Sequence, residues 1–242
     1  MAFQMGERPF NAIERMSDGI RTYFGRVYNY MAGGLALSGG MAYLVTHTSL
    51  MNLFYRVTPT GAITYSFLGW VAIVAPLILI FMISSSLSRL NTARAQGLFW
   101  LFSGLMGVSL SNIFLFYKNV AIFQAFLITA SMFATLSLYG YTTKRSLASW
   151  GSFLFMGLFG VILASIVNIF VGSGPLNFGL SVLCVFIFVG LTAYDTQKLK
   201  MMYDSADSGD VQQAKAISGA LSLYLDFINL FRLVLYFMND RR

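Results

Sequence analysis

The sequence predicts an all-α, polytopic membrane protein with seven transmembrane helices. Three observations lead there. Of its 242 residues, 57% are hydrophobic and only 10% are charged, and the mean hydropathy is +0.69. A soluble domain carries roughly a quarter charged residues, so this chain has too few to cover a water-facing surface. Apolar windows recur along the chain, each long enough to cross a ~30 Å hydrocarbon core. The connections between them are short and leave no room for a soluble domain.

Taken in order, the spans run approximately 28–47, 62–84, 97–117, 120–140, 151–172, 177–198 and 216–238. The first begins too late and runs too long for a cleaved signal. Residues 1–27 mix Arg8, Arg15, Arg21 and Arg26 with Glu7, Glu14 and Asp18, unlike an acid-poor transit peptide. They form a cytoplasmic segment ahead of the membrane domain of 28–238, and 239–242 form a short tail. Small residues recur every four positions in the first span (Ala32, Ala36, Gly40) and the third (Ser103, Gly107, Ser111). That spacing predicts close helix packing in lipid. The sixth span holds the lone cysteine, Cys184, read as a small buried hydrophobe, so neither an internal disulfide nor a Cys-rich metal site is expected.

Basic residues orient the bundle. Eleven flank the N-terminal side and the connections that share it, against four on the opposite side, with Arg232 inside the seventh span. The bias puts the N-terminus in the cytoplasm and, with seven spans, the C-terminus outside. The net charge of +7 is this orienting excess beside anionic headgroups, and no nucleic-acid partner is implied. The single histidine, His47, excludes a His-cluster zinc site and makes a poor partner for a serine nucleophile.

No acid occurs between Asp18 and Asp195, across five spans. The two acids at membrane depth are Asp195, near the cytoplasmic end of span six, and Asp226, in span seven. Antiparallel neighbours can bring them face to face. Ser222, Asp226, Asn229 and Tyr236 follow steps of four, three and seven, one stripe of the last helix, and such a stripe should face protein or a water-filled cavity. Two adjacent carboxylates cannot both ionise freely, so the pair titrates as a unit. It can share a proton, bind a cation or recruit a basic residue, with Arg89 and Arg94 as the natural counter-charges. The plainer alternative is a structural acid that only fixes helix packing. For Asp195 it has extra force, since Lys198 stands at i+3.

Three stretches carry a resemblance. "SLYGYTTKRSL" (137–147), "FVGLTAYDTQKLK" (188–200) and "ALSLYLDFINLFRLVLYF" (220–237) strongly resemble the bacterial branch of the Bax-inhibitor-like, or transmembrane Bax inhibitor motif, family. The likeness extends from about Tyr23 to the C-terminus. It implies seven helices with the last at the centre, and a pH-sensitive calcium leak in the bacterial inner membrane, controlled by a di-aspartyl pair. Carried over, that pair is Asp195 and Asp226, which sense protons and meet the ion. Arg89 is the latch, and Tyr194, Ser222 and Asn229 support the site. Family members with an acid inside span two find no counterpart, since 62–84 contains none.

Calcium takes about 6–8 oxygens, and two carboxylates supply at most four. Backbone carbonyls, Asn229 and waters would complete the shell, so the expectation is a weak, transient calcium site and no tightly bound cofactor. Two alternatives accompany the leak. One is a non-transporting regulator that binds a membrane protease or a cell-death or stress factor. The other is an intramembrane aspartyl protease, disfavoured because "LYLD" replaces Gly-x-Gly-Asp and no Pro-Ala-Leu signature follows. The expected partners are therefore the bilayer, calcium or other cations, and a membrane protein. Catalysis is not expected.

Overall fold

In the computed structural model, residues 9–59 and 62–239 are described, with side chains from 18 to 238 apart from 60 and 61. Most of the N-terminal segment's side chains and nearly all of the 239–242 tail lie outside the described residues. The long helices are α1 (Pro9–His47), α3 (Phe67–Ser88), α4 (Thr92–Leu110), α6 (Asn119–Thr142), α7 (Ala148–Val171), α8 (Gly174–Met202) and α9 (Gly209–Asn239). Two short helices, α2 (Met51–Phe54) and α5 (Asn112–Phe116), and two strands, β1 (Tyr55–Val57) and β2 (Ile63–Tyr65), complete the order.

Among the described residues, six helical segments are long and apolar enough to cross a membrane: α3, the α4–α5 unit, α6, α7, α8 and α9. The first predicted span, within α1, is helical but does not reach that standard. Gly33, Gly34, Ser38, Gly39, Gly40 and three tyrosines dilute its apolar content. Large apolar side chains cover the outside, with Phe170, Ile169 and Phe67 among the most exposed. Such a surface is stable against lipid and a liability in water.

The last helix is the hub. It packs against α1, α4, α6 and α8 and touches α3, while α7 is held through α8. Ile217, Leu223, Tyr224 and Leu230 of α9 are fully buried. Between helices in lipid there is no water to expel, so hydrogen bonds and close backbone approach do the holding. Tyr224 illustrates this: its hydroxyl lies 2.7 Å from that of Ser38 on α1, which is 2.7 Å from the Ser103 carbonyl on α4.

Three sequence expectations need correction. The third-span stripe does pack: a Cβ on Gly107 would sit 2.4 Å from the Ser38 carbonyl. The first-span stripe does not, because Ala32, Ala36 and Gly40 are exposed and the buried face of α1 runs through Val27, Met31, Gly34 and Ser38. The third span is also broken. The Ser111 hydroxyl bonds back to the Val108 carbonyl at 2.6 Å and to Tyr55 at 2.8 Å, so a local side-chain bond competes with the helix there. The second span starts later than predicted, since residues 63–65 form β2, paired antiparallel with β1 (Tyr55 with Tyr65). Ser66 then caps α3 by accepting from Gly69 N–H at 3.1 Å.

At the α3–α4 turn Leu90 holds φ at +52°, a left-handed conformation costly for a bulky side chain. That turn shares one end of the bundle with the α6–α7 and α8–α9 turns, here termed the basic end.

Candidate functional site

Asp195 lies on α8 and Asp226 on α9, two helices packed against each other. Both aspartates are buried, at 9% and 5% exposure, in a chain whose other described acids all lie outside the spans. The two aspartates are not joined by a direct hydrogen bond, and Asp226 Oδ2 is buried with no hydrogen-bond partner. A buried carboxylate oxygen without a partner costs folding free energy, about 1–3 kcal/mol or more for a charged group. Ionisable groups at membrane depth turn to the protein interior or a cavity and away from lipid, and both aspartates do so.

Two cavities lie along the same seam. A small one, about 60 Å³, sits at the basic end between Asp195, Lys198, Ser218 and Ser222. A larger one, about 370 Å³, lies at the other end and is lined by Asn112, Asn177, Asn229, Arg232 and Tyr236 among others. Asp226 lies between them along α9, in the stripe predicted from the sequence. Ser222 lines the cavity that Asp195 lines. Asn229 opens into the other cavity, one turn past Asp226, and so does Cys184. The shell that Asn229 was expected to complete beside both aspartates is therefore split between two cavities. Among the described residues no group of three or more His, Cys, Asp and Glu side chains is placed to hold a metal ion.

Three further predicted residues have plain positions. Tyr194 turns towards α7: a Cβ on Gly151 would lie 2.4 Å from its ring, and Phe155 meets it edge-on at 6.3 Å. Arg89 ends α3, is exposed, and forms no ion pair with either aspartate among the described residues. The basic residue beside Asp195 is instead Lys198, which lines the same cavity. His47 lies at the far end of α1, stacked on Tyr43 at 4.0 Å, remote from the pair.

Sequence reasoning missed what holds Asp195 in place. Its neighbour Thr196 bonds Ser137 of α6 at 3.0 Å, and Ser137 in turn bonds Tyr28 of α1. Gln197 closes the α6–α7 turn twice, accepting from Leu147 N–H at 2.7 Å and donating to the Arg145 carbonyl at 2.8 Å. Lys200 donates to the Tyr141 carbonyl at 2.7 Å, near the C-terminal end of α6 where a cation is favoured. At the α8–α9 turn, Lys215 pairs with Asp207 at 2.5 Å and donates to the Met202 carbonyl at 2.7 Å. The motif "AYDTQKLK" is thus one carboxylate within a set of anchors. The signal for it was the density of polar residues at a helix end otherwise made of apolar ones.

The Gln197 anchor makes a prediction. Gln197→Leu should free the α6–α7 turn and speed tryptic cleavage after Lys144 and Arg145 severalfold. Cleavage should occur in inside-out vesicles and be absent from right-side-out ones, which tests the predicted orientation as well. An unchanged cleavage rate removes the anchoring role.

Comparison with known proteins agrees with this architecture. The family model described as "Inhibitor of apoptosis-promoting Bax1" matches residues 20–242. The chain is 42% identical to the inner membrane protein YbhL of Escherichia coli K12, over 93% of this chain and 94% of that protein. It is also 42% identical to the Rickettsia prowazekii protein RP147, over 93% and 92% of the two chains. An uncharacterized membrane protein of Streptococcus pyogenes serotype M1 is 38% identical over 88% and 90%. Six apolar helices and an inner-membrane relative identify a multi-pass protein of the bacterial inner membrane. With the family match spanning both aspartate helices, the chain belongs to the Bax inhibitor family.

Proposed function

We propose that this protein is a pH-sensitive leak for calcium or other cations, gated at the Asp195–Asp226 pair, and that it is not an enzyme. The observation that carries the reading is the buried, partnerless carboxylate oxygen of Asp226, placed between two cavities on one helix seam. A cation moving along α9 would pass from Asn229 to Asp226 to Asp195 and Ser222. Calcium is cargo here: four carboxylate oxygens, two cavity hydroxyls and water make a weak stop, as a leak needs.

In this proposal the path is shut by dry packing around Asp226, where Leu191, Leu223 and Leu230 are buried. Arg89 latches the pair in a closed state other than the arrangement described above. The strained Leu90 beside it gives the α3–α4 turn a conformational change to release, which is how a turn can swing an arginine between two positions. Protonation removes charge from the pair, weakens the latch and shifts the population towards conduction. The shift is bounded by the latch's differential stabilisation of the closed state.

The test is calcium flux through purified protein in liposomes at two pH values. Flux that rises on mild acidification supports the leak, and no flux at any pH leaves the regulator reading in its place. Arg89→Ala should raise flux at neutral pH by about tenfold, the effect of roughly 1.4 kcal/mol lost from the closed state. If Arg89→Ala conducts like the parent protein at neutral pH, the latch is wrong while the pair survives.

A further inference from the structure

The helices α1 and α6 stand apart as backbones, meeting mainly through side chains. Between them runs an apolar crevice floored by α9. Its first part, about 640 Å³, starts beside Arg21 and Gly25 at the basic end. Its second, about 300 Å³, continues towards the other end, and the two share Leu35 and Phe227. A Cβ placed on Gly25 meets no atom within 4 Å, so the wall is open there. In a membrane-spanning bundle such an opening faces hydrocarbon, and leaving it empty would forfeit dispersion contacts along its length.

We propose that this crevice is a lipid site, holding an acyl chain of an anionic phospholipid whose phosphate meets Arg21. Charge and width both choose this occupant. Arg21 is exposed at the basic end and pairs with no acid among the described residues, beside the leaflet expected to be richer in anionic headgroups. A partner helix is about 10–12 Å across with its side chains, and the Tyr28–Ser137 bond between α1 and α6 lies in its way. An acyl chain is narrow enough to lie along the crevice with that bond intact.

The occupant would touch residues that adjoin each aspartate's own neighbourhood. Phe227, on the floor, follows Asp226 directly, and Ser137, on the wall, bonds Thr196 beside Asp195. Occupancy therefore bears on how α6, α8 and α9 are held together, whether or not the pair conducts ions.

Native mass spectrometry of the full chain released from mild detergent tests the proposal without any flux measurement. The parent protein should retain one phospholipid, with phosphatidylglycerol preferred over phosphatidylethanolamine. Gly25→Phe and Ala134→Trp, on opposite walls, should each lower retention by at least about fivefold, and Arg21→Gln should abolish the headgroup preference while keeping lipid. Ile169→Trp, on the exposed face of α7, should change nothing. Equal retention in the parent and both wall variants overturns the site. So does a parent protein that carries no lipid, or one that carries a second protein chain in its place.

Discussion

Asp226→Asn removes the pH response of calcium flux. The substitution keeps the side chain's size and deletes its ability to ionise, so the two are separated cleanly. In the parent protein, flux should rise with mild acidification as the pair loses charge and releases its latch. It should fall again at lower pH, when both acids are neutral and no longer attract a cation. With asparagine at 226 the coupled pair that holds the latch is gone, and Asp195 is left beside Lys198 at the edge of a cavity. The maximum should vanish and flux should become flat across the range. Peak flux should also drop by at least about tenfold, since even an effective dielectric of 20 leaves ~4 kcal/mol between unit charges 4 Å apart. Stability should not suffer, because a buried carboxylate with an orphan oxygen is replaced by a neutral amide. A variant that melts like the parent and still responds to pH would move proton sensing away from this pair.

Much of this molecule was legible because lipid imposes simple rules. A span must be helical, about 20 residues long and mostly apolar, and six of the seven predicted windows fall on helices that meet that description. The first did not, for a reason visible in hindsight at Gly33, Gly34 and Ser38. Residues that let helices approach closely also lower the apolar content that marks a span. The same conflict misassigned the packing face of α1. Spacing alone offered Ala32–Ala36–Gly40, whereas the partner's shape selected Gly34 and Ser38, because Phe99 and Ser103 of α4 need the room. The β1–β2 hairpin was hidden because each strand is only three residues long and Ile63–Tyr65 passes for the start of a span.

The aspartates were legible for a different reason. Two acids at membrane depth, with none across five preceding spans, leave few alternatives for a functional pair. Their supports were not. Asn229 shares a helical stripe with Asp226, yet a step of three residues turns it into the other cavity. Tyr194 adjoins Asp195 in sequence, and adjacent residues on a helix point roughly 100° apart, so it packs on α7 instead. Arg89 was assigned through a loop, where sequence carries no spatial period to reason from. The anchors Ser137, Gln197 and Lys200 act through contacts made only once α6, α7 and α8 are assembled.

Gly140→Ala should destabilise the protein, although in an open helix position the same change stabilises. Gly140 lies in α6 where that helix crosses α8. A Cβ there would stand 2.3 Å from the Ala193 carbonyl oxygen and 3.1 Å from the Ala193 Cα. Both obstacles are backbone, so no side-chain rotation relieves them and α6 must move away from α8. That movement strains the two bonds flanking the crossing, Ser137 to Thr196 at 3.0 Å and Lys200 to the Tyr141 carbonyl at 2.7 Å. Overpacking typically costs about 1–3 kcal/mol, and a clash with backbone belongs at the upper end. Helix propensity pulls the other way by only about 1 kcal/mol. Gly160, on α7, provides the comparison: a Cβ there meets nothing within 4 Å, so Gly160→Ala should keep the propensity gain. The single cysteine, Cys184, makes a thiol-reactive dye a direct reporter of unfolding for both variants. At roughly 2–4 °C per kcal/mol for a chain of this size, the two melting temperatures should separate by several degrees, with Gly140→Ala below the parent and Gly160→Ala at or above it. Because Asp195 follows Ala193 by two residues on α8, the displaced helix should also disturb the pair, and Gly140→Ala should lose the acid-stimulated flux that Gly160→Ala retains. Two variants that melt together would mean that α6 and α8 do not cross at Gly140, and that Asp195 is held by something other than this contact.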